Sequence, residues 1–107
     1  MSTATQYQEI DIKMLFPSPT NPRKHFNEIK LNELADSIRQ SGVHEPIIVR
    51  IAPEIGQFVS GLEKDYPVYE IVAGERRYKA SLIAERSKVP ALVRQLTDAE
   101  VMEIQSV

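Results

Sequence analysis

The 107-residue sequence contains no cysteine, which excludes disulfide bonds, thiolate metal sites and cysteine nucleophiles together. It has no apolar run near the ~20 residues that a membrane-spanning helix needs, and its start shows no signal-peptide pattern. The net charge of −2 argues against a broad basic face that grips DNA. These absences favour one cytoplasmic domain, and a hydrophobic content of 42% is enough for its core.

Strand-like and helix-like patterns are mixed rather than regularly alternating, which predicts an α+β fold, a small mixed sheet with flanking helices. Residues 1–8 are polar and small, and we predict that they are disordered and precede a domain over residues 9–107. The predicted elements are a strand over 9–15, a helix from Asn27 to about Gln40 ended by Gly42, strands over 46–51, 67–72 and 89–96, a helix from Gly74 to about Ser87, and a last helix opened by Thr97 with Glu100.

The first long helix is predicted to bury an apolar side, and so is the helix after Gly74. For the first, the predicted core side is Ile29, Leu31, Leu34, Ala35 and Ile38; for the second it is Tyr78, Leu82 and Ile83. The connection after Ile51 is long, and Phe58 with Val59 could extend its hairpin. Before the first helix, Pro17, Pro19 and Pro22 predict an extended connector that contains Thr20 and Asn21.

The segment from Val68 to Ala80 carries the clearest functional signal. A strand pattern ends at Gly74, and a helix pattern then begins with Glu75, Arg76 and Arg77. Cations are usually avoided at a helix N-terminus, because that end carries partial positive charge and unpaired N–H groups. Two arginines there make sense if a polyanion such as phosphate binds between them. The alternative is a solvated helix start, in which the arginines pair with carboxylates such as Glu70 or Glu75.

Four segments, in order and with matching spacing, resemble the N-terminal domain of the ParB partition-protein family, a fold also related to sulfiredoxin. They are Asn21–Phe26, similar to the first nucleotide box of the family; Leu34–Val43, similar to its following helix and turn; Pro46–Arg50, similar to its next strand; and Gly74–Ala80, close to its second box, G-E-R-R-x-R-A. The resemblance covers about residues 9 to 107. Sulfiredoxin chemistry itself needs a cysteine, which this sequence lacks.

The resemblance implies a domain that binds CTP with Mg²⁺. In that family the nucleotide switches a dimer between open and closed states, and the closed dimer is a clamp that slides on DNA during chromosome or plasmid segregation. The implied nucleotide-binding residues are Gly74, Glu75, Arg76 and Arg77 around the triphosphate, with Arg23 and Asn21 from the first box and Thr20 directly before it. Further implied properties are a homodimer in the full-length protein, a partition ATPase as partner, a nucleoid or plasmid location, and DNA binding through regions absent here.

The sequence also departs from the family pattern. The third nucleotide box, E-N-x-x-R, and the helix-turn-helix do not follow, so we expect the domain to be cut before them and to hydrolyse nucleotide weakly or not at all. Catalytic residues stay unassigned, although the resemblance allows a CTPase in the full-length protein. Lys79 replaces an arginine of the second box, and Glu45 replaces a glutamine before Pro46.

Other chemistry has less support in the sequence. His25 and His44 show no metal-ligand spacing and are predicted to be surface residues, and no metal site is assigned. The carboxylates Asp98, Glu100 and Glu103 are best explained as a solvated helix face, the alternative being that one faces a bound metal. Two function classes therefore stay open: a nucleotide-switched binding module, or an enzyme on the same fold, namely a metal-dependent nuclease, an ATPase or a small-molecule kinase.

Overall fold

The structure is a computed structural model, and it describes residues 5–22, 25–51 and 69–106. Five strands, three α-helices and one turn of 3₁₀ helix are present in these residues. In chain order they are β1 (Gln6–Asp11), the 3₁₀ turn (Ile12–Met14), β2 (Leu15–Pro17), α1 (Glu28–Ser41), β3 (Ile47–Ile51), β4 (Tyr69–Ala73), α2 (Glu75–Ile83), β5 (Lys88–Val93) and α3 (Asp98–Gln105). None of the helices in these residues is long and apolar enough to cross a bilayer.

The five strands form one mixed sheet in the order β1-β5-β3-β4-β2. The β1/β5 and β3/β4 pairs are antiparallel, whereas β5/β3 and β4/β2 are parallel. One apolar cluster lies on the sheet, around Ile47, Val49 and Ile71, and a second joins α1 to α2. The predicted α+β fold, a mixed sheet with flanking helices, is confirmed.

Parallel pairing of β2 with β4 positions the two candidate nucleotide segments. Leu15 lies opposite Tyr69 and Pro17 opposite Ile71, so both strands end at the same edge of the sheet. The loop that contains Thr20 and Asn21 follows β2, and α2 follows β4. These two segments, more than fifty residues apart in the chain, are therefore neighbours in the fold.

The prediction for the N-terminal residues was wrong in two respects. β1 begins at Gln6, inside the segment predicted to be disordered, because Gln6–Asp11 pairs along its length with β5. The predicted strand over 9–15 is also divided, since the Asp11 side chain accepts a hydrogen bond from Lys13 N and the chain makes a 3₁₀ turn before β2. Residues 1–4 lie outside the described part.

The predicted termini of α1 and the predicted start of α3 are confirmed. The Asn27 side chain accepts from Lys30 N at 3.0 Å, and Gly42 closes α1 with φ +83°. Thr97 and Glu100 form the predicted capping box at the start of α3. Residues 52–68 lie outside the described part of the chain, and they include Phe58, Val59 and residues 67–68 of the predicted return strand. The described part of β4 begins at Tyr69.

Helix faces were predicted less well. Ile29 is 71% exposed, because α1 turns Leu31, Ala35 and Ile38 toward α2 instead. On α2 the buried contacts with α1 come from Ala80 and from Ala84 just beyond the helix, which leaves Leu82 and Ile83 exposed. α2 ends at Ile83 rather than near Ser87, because the chain turns there, and Glu85 has a positive φ. β5 stops at Val93 rather than at 96.

Candidate functional site

Gly74 makes the tight junction between β4 and α2. Its φ is +101°, in the left-handed region that side chains rarely adopt. A Cβ at this position would lie 2.7 Å from Ile47 Cγ2 and 3.0 Å from Ile47 Cβ. Only a glycine therefore lets the start of α2 approach the start of β3 this closely.

The N-terminus of α2 is electropositive and is not capped by a side chain. Arg76 has no carboxylate within 4 Å among the described residues. Arg77 also lacks an ion pair there; its Nη1 instead donates to the carbonyl oxygens of Pro46, at 2.6 Å, and Glu45, at 3.3 Å. The alternative in which these arginines pair with Glu70 or Glu75 is wrong for the residues that the structure describes.

Glu75 connects the two candidate nucleotide segments. Its Oε1 accepts a hydrogen bond of 2.7 Å from Asn21 Nδ2, and its Oε2 lies 3.7 Å from Lys79 Nζ. The Lys79 ammonium also lies 5.4 Å from the centre of the Phe26 ring, within cation–π range. Both carboxylate oxygens of Glu75 thus face donors, and this reduces the repulsion that it would exert on a phosphate.

An open cleft of about 770 Å³ lies between these segments. Its walls are the loop at Asn21, the second half of α1, the turn from Gly42 to Glu45, the β4–α2 junction and the end of α3. Five predicted site residues line it: Asn21, Gly74, Glu75, Arg76 and Arg77. Arg23 lies outside the described residues.

Thr20 is the predicted site residue that does not line the cleft. Its hydroxyl donates to Gln105 Oε1 at 2.8 Å, and Gln105 Nε2 donates to the carbonyl of Val72 at 3.3 Å. Gln105 and its neighbour Ile104 do line the cleft. Sequence reasoning missed both of these α3 residues, since nothing in the chain alone indicates that the end of α3 packs beside β4.

Sequence reasoning also missed a buried charge pair in the sheet. Arg50 Nε donates to Glu70 Oε1 at 2.8 Å, and Glu70 is 1% exposed. Arg50 Nη2 also contacts Asp98 Oδ1 at 2.8 Å. Burial alone would lower the pKa of Arg50, but hydrogen bonds with Glu70 and Asp98 raise it above its ordinary value. Opposite charges on adjacent strands were the available signal, but using it requires the register of β3 against β4.

The two histidines and the carboxylates of α3 were the other candidates for functional residues. His44 lies on the cleft wall and is exposed, and His25 is exposed as well. Among the described residues, no three His, Cys, Asp or Glu side chains are grouped as metal ligands would be. Asp98 pairs with Arg50 and Glu100 belongs to the capping box, while Glu103 is solvated.

Tyr78 lies one turn into α2, with its ring packed against the sheet cluster. Burial, and then the nearby Glu75 carboxylate, raise the pKa of its phenol above the ordinary value of 10.0. Tyr78 therefore contributes a neutral, half-buried ring below the charged start of α2.

Comparison with known proteins places this geometry in a family. A model of the ParB N-terminal domain matches residues 1–107. The chromosome-partitioning protein Spo0J of Thermus thermophilus is 46% identical over 88 residues, and a nucleoid occlusion protein of Listeria monocytogenes is 42% identical over 97. The matches cover 82% and 91% of this chain but only 28% and 30% of those relatives, so the chain spans less than a third of their length.

Solved structures agree in fold. The C-terminally truncated chromosome-partitioning protein ParB of Caulobacter crescentus, complexed with CTP-γ-S, superposes with a TM-score of 0.78 at 39% identity, over 94% of this chain and 50% of that one. The same protein complexed to the centromeric parS site gives 0.71 at 36% identity, over 92% and 44%. Sulfiredoxin of Arabidopsis thaliana gives 0.65 at 21% identity, over 92% and 96%, a likeness of fold alone.

Proposed function

The chain belongs to the ParB N-terminal domain family, and on that premise we propose that it binds CTP in the cleft as the switch domain of a DNA-segregation protein. The observation that carries the proposal is the uncompensated positive charge at the start of α2. An uncapped helix N-terminus and the unpaired Arg76 border the same cleft, and no described carboxylate neutralises the guanidinium. Such a site favours a polyanion.

The two arginines have different tasks in this proposal. Arg76 is the primary triphosphate ligand, because its guanidinium is not engaged by another described residue. Arg77 holds the turn before β3 through the carbonyls of Glu45 and Pro46, and that turn is one wall of the cleft. Arg77 therefore shapes the site and adds positive charge near the phosphates.

The apolar part of the cleft lining suits a nucleobase. It includes the side chains of Phe26, Leu34, Ile38 and Val43. Apolar walls with a few polar groups are typical of small-molecule sites, and about 770 Å³ falls within their usual size range. CTP is the nucleotide proposed, because a relative of 39% identity was solved with CTP-γ-S.

Mg²⁺ would enter the site with the triphosphate. Mg²⁺ is commonly held by one or two carboxylates together with substrate phosphates, and it offsets phosphate charge. Glu75 is the cleft carboxylate closest in sequence to the arginines, although Asn21 and Lys79 already engage its oxygens. We assign no catalytic residue, and neither a nuclease nor a kinase has a specific observation in its favour.

In the full-length protein, we propose, nucleotide binding controls closure of a homodimer on DNA at the nucleoid or on a plasmid, with a partition ATPase as further partner. Support comes from relatives described as chromosome-partitioning proteins and from the Caulobacter structure with parS. The DNA-reading and dimerising regions would lie in the parts of those relatives that this chain does not span.

Calorimetric titration of the purified chain with CTP, UTP, ATP and GTP, each with and without Mg²⁺, tests the proposal. We expect CTP to bind at least about tenfold more tightly than ATP, a difference of ~1.4 kcal/mol. The Arg76→Ala variant is the negative control for the site. ATP preference with turnover, metal-dependent nicking of DNA, or no nucleotide binding by the folded chain would each contradict a CTP switch.

A further inference from the structure

Glu70 carries a buried carboxylate and does not line the cleft. It is the second residue of β4 and is 1% exposed. Its Oε1 accepts from Arg50 Nε at 2.8 Å, and its Oε2 accepts from the Ser18 hydroxyl at 2.5 Å. A buried charge is tolerated when it is paired and hydrogen-bonded, and these two contacts satisfy both oxygens of the Glu70 carboxylate.

Ser18, itself 1% exposed, is the point at which the loop after β2 is tied to the sheet. Its hydroxyl lies 3.0 Å from Thr20 Oγ1 and accepts from Thr20 N at 3.3 Å. Its backbone carbonyl accepts from Asn21 N, also at 3.3 Å. The residue that contacts Glu70 thus also bonds both loop residues assigned to the nucleotide site.

Both ends of α3 contact the hydrogen-bonded network that contains Glu70 and Ser18. At its start, Arg50 contacts Asp98 at 2.8 Å and donates to the carbonyl of Leu96 at 3.1 Å. Near its end, Gln105 accepts from Thr20 at 2.8 Å. The ion pair of Arg50 with Asp98 is solvated at the aspartate, which is 89% exposed, whereas the Glu70–Ser18 contact is enclosed. The enclosed Glu70–Ser18 hydrogen bond therefore restrains the loop more strongly than the solvated Arg50–Asp98 ion pair does.

We propose that Glu70, acting through Ser18, is the positioning residue of the nucleotide site. It sets the loop over Ser18–Asn21 so that Asn21 meets Glu75 at the start of α2, and it does so without touching the ligand. The proposal rests on the proposed function for its effect on CTP, but the ordering of the loop is a property of the chain alone.

Substitutions at Ser18 test the contact without removing a buried charge. Ser18→Ala deletes the hydroxyl and leaves Glu70 paired with Arg50. Ser18→Thr and Ser18→Val are a matched pair of nearly equal size that differ in the hydroxyl, and they carry the test if the alanine variant fails to fold. Asp98→Asn is the control. It disturbs the solvated ion pair of Arg50 with Asp98 and leaves the hydrogen bond between Ser18 and Glu70 in place.

The first readout is amide hydrogen exchange in the nucleotide-free protein, measured at Asn21. The Asn21 N–H bonds the Ser18 backbone carbonyl, which every variant retains, so its exchange reports the order of the loop. We expect exchange at least tenfold faster in the Ala and Val variants, with wild-type rates in the Thr variant and in Asp98→Asn. The Ile71 amide in β4 should stay unchanged, which separates loop loosening from a general loss of stability.

The second readout is the dissociation constant for CTP. We expect it to rise about tenfold in the Ala and Val variants and to stay within about twofold of wild type in the Thr and Asn variants. Equal Asn21 exchange in the Thr and Val variants would overturn the positioning role. If the wild-type chain binds no nucleotide, the proposed function fails, and the exchange experiment still decides whether the Ser18 hydroxyl that contacts Glu70 orders the loop.

Discussion

The side-chain amide of Asn21 donates to Glu75 Oε1 at 2.7 Å, and this contact joins the loop after β2 to the first residue of α2. The two residues are 54 positions apart in the chain and meet because β2 and β4 are parallel neighbours. The contact occupies one oxygen of the cleft carboxylate that directly precedes Arg76 in the sequence.

Asn21→Ala should weaken CTP binding by about 1 kcal/mol, because the loop loses an anchor and the freed Glu75 oxygen then faces the phosphates. Calorimetry measures the affinity, and Asn32→Ala, at an exposed position on α1, is the matched control. A folded Asn21→Ala protein with wild-type affinity would show that this contact does not contribute to the site.

Arg76→Ala and Arg77→Ala should differ in their effect on stability. Each should weaken CTP binding by about 1.5–3 kcal/mol, through the loss of a charge-assisted contact or of the wall that Arg77 holds. Arg76→Ala should leave the free energy of unfolding within about 0.5 kcal/mol of wild type. Arg77→Ala should lower it by about 1 kcal/mol, since two carbonyls lose their donor.

Urea unfolding and calorimetry on the same samples give both quantities for the arginine variants. Lys30→Ala, which removes an exposed cation from α1, controls for net charge. Identical stability losses in the two arginine variants would contradict the separate tasks assigned to them.

Gly74→Ala should lower the free energy of unfolding by about 2–4 kcal/mol, because it combines a left-handed φ with a clash against Ile47. Urea denaturation measures the loss. Repeating the substitution in an Ile47→Ala background removes the nearest atom, Cγ2, so the additional cost should be smaller there. The same cost in both backgrounds would show that the contact with Ile47 Cγ2 does not contribute to the effect.

Tyr78 should make stability depend on pH in the alkaline range. Because burial and Glu75 raise its folded-state pKa above 10.0, the contribution of the protonated phenol is fully present below pH 10. It is lost as the pH rises through the folded-state pKa, where the unfolded chain releases the proton more readily. Wild type should therefore lose more stability than Tyr78→Phe between pH 9 and pH 11, as measured by urea unfolding. Parallel losses in the two proteins would contradict this assignment.

The features that sequence reasoning predicted correctly are mostly local. Asn27, Gly42 and the Thr97–Glu100 box each act within one turn of helix, so the chain itself specifies the helix ends. The cluster from Gly74 to Arg77 could be found for the same reason, because strand, glycine and helix start are consecutive. The resemblance to the ParB family added the first box, Asn21–Phe26, to the prediction. The periodicity of the sequence alone does not connect that box to the second one, Gly74–Ala80.

The errors concern contacts between distant segments. Ile29, Leu82 and Ile83 are apolar and were predicted to face the core, but α1 and α2 meet through smaller side chains such as Ala35 and Ala80. Gln6–Gln8 look disordered on composition and become a strand only because β5 offers an edge to pair with. The Arg50–Glu70 pair depends on a register that includes an irregularity between Ile48 and Val49.

The antiparallel pairing of β3 with β4 also has a practical consequence. Ile51 and Tyr69 are cross-strand partners, so the described parts of β3 and β4 stop and start at adjacent positions. Those positions lie roughly 17 Å along β4 from the junction at Gly74, at a rise of about 3.3 Å per residue. An affinity tag or a fluorescent reporter spliced between residues 52 and 68 would thus be joined to the described domain through Ile51 and Tyr69, at the end of the sheet remote from the proposed ligand.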